Sequence, residues 1–527
     1  MIKSLTATPT GLVEPVDARR SWWLVVSGFS IVAILLLVAA QGSWGFHRDE
    51  FLYLAMGRHV DWGYWSNPPL IGALGWVAEN VTGSSLFVVR LFPLAALAGT
   101  LFLTAAMVRD LGGGTVATAI ACLPFVVSPG LLRPASLFQP VMFDILMWTL
   151  LAWVVVRYLT TSDSRWLVGL GIVVGVGLLN KYSIIFFVIA LFAAVAFSSH
   201  RRQLLSRHVL FAMILAALLV LPNLLWQISH GWPVLAHMRE LSETQLVNVL
   251  RLDFLTGQLL IHLPVTLFWM GGLLWLFGKK GRRYRLLAVT FVFVVLLLLV
   301  LRGKSYYTLG AYPMLFAAAG VWLEAAHGAV RWSLALLALV LGVLASPFST
   351  PYLPVDSMLS YGKSFVQRTG VNAPLVWETG ILHDLPQDYA DMLGWEELAE
   401  LAIEAHAEAE DAVGTVIFAE NYGQAGAIEY YGRGRGLPDV ISFGDSYRLW
   451  APDSLPQTIS TLIYVSDDPG TVFDSLFGAS RVVGRVENVH ARERGTEVLL
   501  MTEPDSTARD FYARVAAQIK ESFSRGD

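Results

Sequence analysis

Apolar runs of roughly twenty residues recur through the first two-thirds of this chain, and they constrain its fold more than any other feature of the sequence. A helix that crosses a bilayer needs about 20 mainly apolar residues, because lipid offers no hydrogen-bond partners to an open backbone. By that measure eleven spans are predicted, near residues 22–41, 86–108, 114–130, 137–157, 166–180, 182–198, 208–226, 256–278, 286–302, 305–325 and 331–348. Only 15% of the 527 residues are charged, against about 25% in average proteins, so we predict a polytopic α-helical membrane protein.

The charges of the connecting segments predict how these spans are oriented. The first run, from residue 22 to 40, follows Arg19 and Arg20 and is longer than a signal-peptide core, so it is predicted to be an uncleaved span. If the amino terminus is cytoplasmic, the inside connections carry more Lys and Arg than the outside ones, as the positive-inside rule requires. The fifth and sixth spans could be one broken helix, but merging them would move the most basic loops outside. Eleven separate spans place the carboxyl terminus outside the cytoplasm.

The composition changes near residue 349 to a charged and mixed sequence in which short β-type runs alternate with helical segments. We therefore predict a membrane domain over residues 1–348, with long outside loops at 42–85 and 227–255. Residues 349–527 are predicted to form a soluble extracytoplasmic α/β domain, long enough to bury a core of its own. The net charge of −4, without a basic run, gives no sign of a nucleic-acid partner, and the single Cys122 excludes an internal disulfide.

The segment from residue 42 to 70 concentrates charged and aromatic residues between two apolar runs, more than a simple connection needs. Asp49 and Glu50 precede a short helical stretch, so they could cap that helix and favour its positive end. The alternative is a catalytic carboxylate at the water–lipid boundary that takes a proton from an acceptor hydroxyl. Both roles are compatible. His47 and Asn67 of the same segment are predicted to line a substrate cavity.

Asp144 lies a few residues inside the fourth predicted span, where an unpaired carboxylate is costly. It is either a structural residue, bonded to nearby backbone or to Arg133, or a second active-site acid. A further alternative is that Asp49 and Asp144 share a hard divalent cation, Mg²⁺ or Mn²⁺, since these ions prefer oxygen ligands. Asp49, Glu50 and Asp144 are thus the candidate catalytic residues, and a divalent cation is the one cofactor that the sequence suggests.

Five basic residues in the outside segments are candidates for binding a phosphate at the membrane surface: Arg58, Arg133, Lys181, Arg302 and Lys304. Each by itself is as readily explained as an interfacial anchor whose stem lies along apolar surface. As a set they offer charge-assisted contacts to phosphate oxygens. Tyr306 and Tyr307 follow the last of them and are candidates for the cavity wall, although tyrosines are common at membrane interfaces.

The order and spacing of eight segments resemble a known family. The segments are Asp49-Glu50 with the following GRHVDWGYWSNPPL, SLFVVRLFP with Arg90, LRPASLFQPVMFD, GLLNKYS, LPNLLWQISHGWP, GKSYYTLGAYPMLFAAAG, DYADMLGWEELAE and FAENYGQAGAIEYYG. They resemble the bacterial GT-C glycosyltransferases, specifically the family 39 group related to protein O-mannosyltransferases and to the aminoarabinose transferase that modifies lipid A. The resemblance implies transfer of a sugar from a polyprenyl-phosphate carrier to an extracytoplasmic acceptor, normally with inversion. It makes Asp49 the general base, Asp144 the second acid, and Lys181, Arg302 and Lys304 partners of the donor phosphate.

Two positions depart from the aminoarabinose transferases, which have a lysine before the Pro-Pro pair and a basic residue three positions after the first acid. Here these positions are Asn67 and Leu52, so the donor phosphate is expected to be held differently and the sugar stays open. The family varies in metal dependence, so the resemblance does not imply a metal.

Two other classes of protein compete with the enzyme. A transporter or flippase of a lipid-linked substrate usually keeps ionisable residues near the membrane midplane and shows internal repeats, and neither is evident here. A membrane scaffold with an external binding domain would not explain the acids of the first loop. We therefore predict an inverting glycosyltransferase of the bacterial cytoplasmic membrane, with a cytoplasmic amino terminus. Its partners are the bilayer, a polyprenyl-phosphate-linked donor, and a glycan, lipid or protein acceptor.

Overall fold

A computed structural model of the protein describes residues 16–42, 44–244, 246–470 and 475–525. Up to residue 349 the described chain is helical, and beyond it helices alternate with the strands of a five-stranded sheet. The α-helices of the first part are α1 (Val16–Ala39), α2 (Arg48–Arg58), α3 (Leu70–Val77), α4 (Leu86–Asp110), α5 (Thr115–Cys122), α6 (Pro124–Val127), α7 (Pro129–Ala135), α8 (Pro140–Thr161), α9 (Arg165–Asn180), α10 (Ile184–Ala196), α11 (Arg207–Ser229), α12 (Pro233–Thr244), α13 (Arg251–Leu260), α14 (Thr266–Phe277), α15 (Arg285–Val300), α16 (Tyr312–Glu324) and α17 (Gly328–Ser349).

Six helices in the described ranges are long and apolar enough to cross a membrane, namely α1, α4, α8, α11, α15 and α17. Two predicted continuous spans are bent instead, by 61° where α7 follows α6 and by 69° where α14 follows α13. Pro129 and Pro264 lie at these bends, and a proline has no backbone N–H with which to continue a helix. The predicted fifth and sixth spans are the separate, shorter helices α9 and α10. The predicted tenth span begins as a 3₁₀ helix, Ser305–Ala311, before α16.

Small residues let the central helices approach one another closely. A Cβ added to Gly320 of α16 would lie 2.3 Å from the carbonyl oxygen of Ala117 in α5, and one added to Gly272 of α14 would lie 2.1 Å from that of Leu315. Such contacts are typical of helices that pack inside a membrane, where close van der Waals contact replaces the hydrophobic effect. The peripheral helices instead expose large apolar side chains such as Leu35 of α1. The apolar surface is therefore turned outward, as a bilayer requires.

The second part of the chain is a compact α/β unit, here called the C-terminal unit. Its helices and strands are α18 (Val355–Thr369), α19 (Gln387–Ala390), α20 (Trp395–Glu408), β1 (Thr415–Ala419), α21 (Tyr422–Tyr431), β2 (Val440–Ile441), α22 (Tyr447–Trp450), β3 (Thr461–Ser466), β4 (Phe477–Arg485), β5 (Glu497–Pro504) and α23 (Ser506–Arg525). The strand order is β2-β1-β3-β5-β4. Strand β1 is parallel to β2 and β3, and β5 is antiparallel to β3 and β4. The β-type runs predicted from the sequence match four of these strands, and β2, with two residues, is too short to leave a pattern. The runs are GTVIFA (414–419) for β1, TLIYVS (461–466) for β3, SRVVGRV (480–486) for β4 and TEVLLM (496–501) for β5.

The C-terminal unit packs on α2 through α21. A Cβ added to Gly426 would lie 2.6 Å from Cβ of Phe51, so glycine is what lets these two helices touch. Around this contact Arg58 forms an ion pair with Glu429, and Arg433 bonds Glu79 at 2.5 Å. Helix α2 is thus held between the membrane helices and the C-terminal unit.

Candidate active site

The amino-terminal end of α2 presents Asp49. His47 caps the helix: its Nδ1 accepts a hydrogen bond from the backbone N–H of Asp49 at 3.2 Å, and its own N–H donates to Glu50 Oε2 at 2.8 Å. The arrangement is a reciprocal capping box, with histidine in the place usually held by Ser or Thr. Asp49 lies in the first turn, where the partial positive charge of the helix end favours a carboxylate. Its side chain is 30% exposed, so a substrate can reach it.

Tyr422 of the C-terminal unit contacts Asp49 directly. Its hydroxyl donates to Asp49 Oδ1 at 2.7 Å, between residues 373 positions apart in the chain. The guanidinium of Arg48 lies over the Tyr422 ring, 4.6 Å from its centroid. Burial, and next the charge of Asp49, raise the pKa of Tyr422 well above its usual value, so the phenol stays a donor. The candidate base is therefore held from two parts of the chain.

Lys181 faces the same region from the junction of α9 and α10. Its ammonium lies 5.7 Å from the ring centroid of Tyr306 and 5.9 Å from that of Tyr307, within cation–π range. Burial lowers the pKa of Lys181, while the charges of Asp144 and Asp49 act in the opposite direction. The structure thus brings four of the predicted residues, Asp49, Lys181, Tyr306 and Tyr307, to one region.

Glu50 points away from that region into the protein. It is fully buried, and its two oxygens accept four hydrogen bonds: Oε1 from Arg90 Nε at 3.0 Å and Phe138 N at 2.9 Å, Oε2 from Arg90 Nη2 and His47 N, both at 2.8 Å. Every favourable site on the carboxylate is taken, and a substrate cannot reach it. The prediction of Glu50 as a catalytic residue does not fit this geometry, which makes it the buried partner of Arg90.

Asp144 is also buried, and each of its oxygens accepts one hydrogen bond. Trp148 Nε1 donates to its Oδ1 at 3.0 Å and Ser183 Oγ to its Oδ2 at 2.7 Å. Of the two roles open for Asp144, this geometry favours the structural one, with Trp148 and Ser183 rather than Arg133 as partners. A cation shared by Asp49 and Asp144 stays a prediction.

Three of the other predicted phosphate ligands form ion pairs, and the fourth, Arg302, is exposed. Arg58 pairs with Glu429, Arg133 Nε donates to Asp388 Oδ2 at 2.6 Å, and Lys304 Nζ donates to Glu378 at 2.9 Å. Arg302 is exposed at the end of α15, with a left-handed φ of 54°. Arg58 and Arg133 bind acids of the C-terminal unit in this structure and so attach it to the membrane helices, and their role as phosphate ligands stays a prediction. Lys181 lies within electrostatic reach of Asp49, and Lys304 lies within electrostatic reach of Lys181.

Asn67 and His47 have different positions from those predicted for a cavity wall. Asn67 is buried and donates to Ser66 Oγ at 2.7 Å, and Ser66 Oγ donates to Asp445 of the C-terminal unit at 3.0 Å. His47 is buried behind Asp49 as the cap of α2. Asn67 therefore shapes the loop that meets the C-terminal unit.

Sequence reasoning missed three side chains of the region, Tyr53, Tyr422 and Asp445. Burial raises the pKa of Tyr53, and Asp49, Tyr422 and Asp445 raise it further, which places these three groups within electrostatic reach of Tyr53. The signal for Tyr422 was present in NYGQAG: Asn421 and Gln424 form a capping box that starts α21, and this pattern predicts a turn. Nothing in the local pattern indicates that the turn reaches Asp49.

Comparison with known proteins gives a fold, a family model that matches part of the chain, and a relative in sequence. The family model described as dolichyl-phosphate-mannose-protein mannosyltransferase matches residues 66–226. The lipid A galacturonosyltransferase RgtD of Rhizobium johnstonii is 27% identical over 378 residues, which cover 66% of this chain and 75% of the relative. The crystal structure of ArnT from Cupriavidus metallidurans bound to undecaprenyl phosphate matches with a TM-score of 0.63 and 15% identity, over 90% of this chain and 97% of ArnT. Apo ArnT matches with a TM-score of 0.65 and 14% identity, over 92% and 98% of the two chains. The chain therefore has the ArnT-like GT-C fold, and its relatives in sequence indicate a glycosyltransferase.

Proposed function

We propose that the protein transfers a sugar from a polyprenyl-phosphate carrier to an extracytoplasmic hydroxyl acceptor, with Asp49 as the general base. The proposal rests on the groups that surround the Asp49 carboxylate. It is a partly exposed carboxylate at a helix amino terminus, hydrogen-bonded by Tyr422 and in the same region as Lys181. A base, a fixed donor and a cation are the groups that such a transfer requires.

The reaction follows from these groups. Asp49 takes the proton of the acceptor hydroxyl while the hydroxyl oxygen attacks the anomeric carbon of the donor sugar. The bond from that carbon to the phosphate oxygen breaks, and its electron pair leaves with the polyprenyl phosphate. Attack from the face opposite the leaving group inverts the configuration at the anomeric carbon. The ammonium of Lys181 stabilises the charge that develops on the departing phosphate.

The substrates follow by analogy with the relatives. RgtD is named for transfer of galacturonic acid to lipid A, and ArnT is solved with undecaprenyl phosphate. A polyprenyl-phosphate donor and a lipid A-type acceptor are therefore the first pair to test. A transporter or flippase is not supported by these relatives.

The proposed orientation places the chemistry at the membrane surface. With eleven crossings and a cytoplasmic amino terminus, the C-terminal unit and the amino-terminal end of α2 lie outside the cytoplasm. An amphiphilic donor keeps its phosphate at that interface while its tail stays in the bilayer. This orientation rests on the distribution of Lys and Arg and is testable by cysteine labelling of the connections.

The experiment uses full-length protein in proteoliposomes with a radiolabelled polyprenyl-phosphate-linked sugar and lipid A as acceptor. Wild-type protein should label the acceptor and release polyprenyl phosphate, and Asp49→Asn should do neither while keeping its fold. Asp61→Asn, an exposed carboxylate of the same loop, is the matched control and should retain activity. Wild-type rates in Asp49→Asn would exclude Asp49 as the base. Transport of the labelled donor without release of lipid phosphate would support the flippase.

A further inference from the structure

A second group of ionisable side chains lies behind Asp49, where the C-terminal unit meets α2. It consists of His47, Asp388 and Asp391, here called the His47 cluster, and one ligand atom from each lies within 4.8 Å of the others. Asp388 and Asp391 are three residues apart at α19, so their carboxylates lie on one side of that helical turn. Among the described residues this is the one group of three or more with the chemistry and spacing of metal ligands.

The imidazole of His47 has an unused nitrogen aimed at both carboxylates. Its Nε2 lies 3.6 Å from Asp388 Oδ1 and 3.7 Å from Asp391 Oδ2, and it has no hydrogen-bond partner although the residue is only 4% exposed. These separations exceed the 2.7–3.2 Å or so of an N–H···O hydrogen bond. Two ligands of one tetrahedral zinc ion, with bonds of about 2.0–2.2 Å, lie about 3.4 Å apart. The two separations from Nε2 are therefore longer than hydrogen bonds and within a few tenths of an ångström of those between ligands of one zinc ion.

We propose that the His47 cluster binds one zinc ion, which fixes the C-terminal unit to the amino-terminal end of α2. Nitrogen from imidazole with oxygen from two carboxylates is a common donor set for zinc. Asp388 is half-exposed, so the ion can enter from that side and keep a water ligand there. The proposal depends on the fold and not on the proposed sugar transfer.

Neighbouring groups already orient the two carboxylates. Arg133 Nε bonds Asp388 Oδ2 at 2.6 Å and leaves Oδ1 directed at His47. Arg492 Nη1 bonds the carboxylate of Asp391 at 3.2 and 3.3 Å, and the backbone N–H of Arg48 donates to the Asp391 carbonyl at 3.1 Å. Outer hydrogen bonds of this kind hold metal ligands in position. The same contacts link the cluster to α2.

Zinc at Nε2 has a consequence for the candidate base. A neutral imidazole that binds a metal through one nitrogen carries its proton on the other. Protonated Nδ1 could no longer accept the 3.2 Å hydrogen bond from the backbone N–H of Asp49. It would instead donate to the Asp49 carboxylate, whose Oδ2 lies 3.9 Å away. Occupancy of the cluster is thereby coupled to the orientation of Asp49.

The test measures zinc on intact protein purified in detergent with a tag free of histidine. After equilibrium dialysis against buffered Zn²⁺, elemental analysis should find about one ion per chain, as expected for one site. Asp391→Asn and His47→Asn should weaken binding by more than the roughly 10- to 100-fold that loss of an outer hydrogen bond costs. Asparagine is itself a good helix cap, so His47→Asn removes the ligand while keeping α2 capped. Size-exclusion profiles check the fold of each variant.

His59→Asn is the matched control, because His59 is in the same loop and stacks on Trp450 at 4.2 Å, away from the cluster. It should bind zinc as the wild type does. Cobalt in place of zinc should give a visible d–d spectrum that disappears in His47→Asn. Zinc content at background in folded wild-type protein, or equal binding in the wild type and His47→Asn, would overturn the proposal and leave the cluster as an ion-pair contact.

Discussion

Replacing Glu50 by glutamine tests whether this side chain holds the protein together or takes part in transfer. In the structure its oxygens accept hydrogen bonds from Arg90 Nε, Arg90 Nη2, Phe138 N and His47 N, two on each oxygen. Glutamine has one oxygen and one NH₂ donor. In either orientation of the amide, two of the four donors then face another donor, and the buried charge of Arg90 loses its counter-charge.

The size of the effect follows from these losses. Removing one partner of a buried ion pair costs about 3–5 kcal/mol, because the other charge is left uncompensated. We therefore expect Glu50→Gln to lower the free energy of unfolding by about 3–5 kcal/mol, a large part of the roughly 5–15 kcal/mol that stabilises a typical protein. The double variant Glu50→Leu with Arg90→Met removes both charges together. It should cost less than the sum of the two single variants.

The assay is unfolding of purified protein in detergent micelles, followed by tryptophan fluorescence, with transfer measured at a temperature where all variants are folded. Glu378→Gln is the control, because Glu378 is exposed in its pair with Lys304 and should change stability by less than about 1 kcal/mol. A Glu50→Gln protein that is as stable as the wild type but inactive would refute this reasoning. It would return Glu50 to the catalytic residues.

Three further predictions concern the region around Asp49. Tyr422→Phe keeps the ring but removes the hydrogen bond to Asp49. A hydrogen bond to a charged group is worth about 1.5–3 kcal/mol, so kcat should fall roughly 10- to 150-fold with the fold unchanged. An unaltered kcat would show that the hydroxyl does not hold the base. Lys181→Met should lower transfer more than Lys181→Arg, which keeps the charge; equal rates in the two variants would exclude a role of that charge. Gly426→Val places a side chain against Phe51 and should loosen the packing of the C-terminal unit on α2. Limited proteolysis should then cleave the chain after residue 349 faster than in the wild type. Unchanged protease resistance would contradict the close contact of α2 with α21.

The C-terminal unit is a component of the candidate site and more than a cover over it. Tyr422 reaches the candidate base, Asp445 lies within electrostatic reach of Tyr422, and Asp388 and Asp391 lie close to His47, the cap of α2. Separating the unit from α2 would remove the partner of Asp49 and open the His47 cluster. Docking of the C-terminal unit and assembly of the site are therefore one event in this arrangement.

Local properties of the sequence were enough to determine much of this protein. Runs of apolar residues predict membrane helices because lipid cannot satisfy a backbone outside a helix or closed sheet. The sequence also placed Asp49 and Glu50 at the start of a short helix, as α2 shows, but the prediction that Asp49 caps it is wrong, because His47 is the cap and Asp49 lies in the first turn. Alternating apolar residues likewise indicated β1, β3, β4 and β5. Each of these features depends on neighbours in the chain.

Only the tertiary structure decided which ionisable groups meet. Glu50 and Asp49 are adjacent in sequence, yet Glu50 pairs with Arg90 inside the protein and Asp49 meets Tyr422 from 373 residues away. Consecutive positions on a helix point about 100° apart, so one acid can be saturated while its neighbour stays accessible. Arg58 and Arg133 were expected to bind phosphate, and in this structure they bind acids of the C-terminal unit. The sequence gives the sign of each side chain's charge. The partner of that charge depends on how the C-terminal unit packs on the membrane helices, and no local sequence pattern predicts this packing.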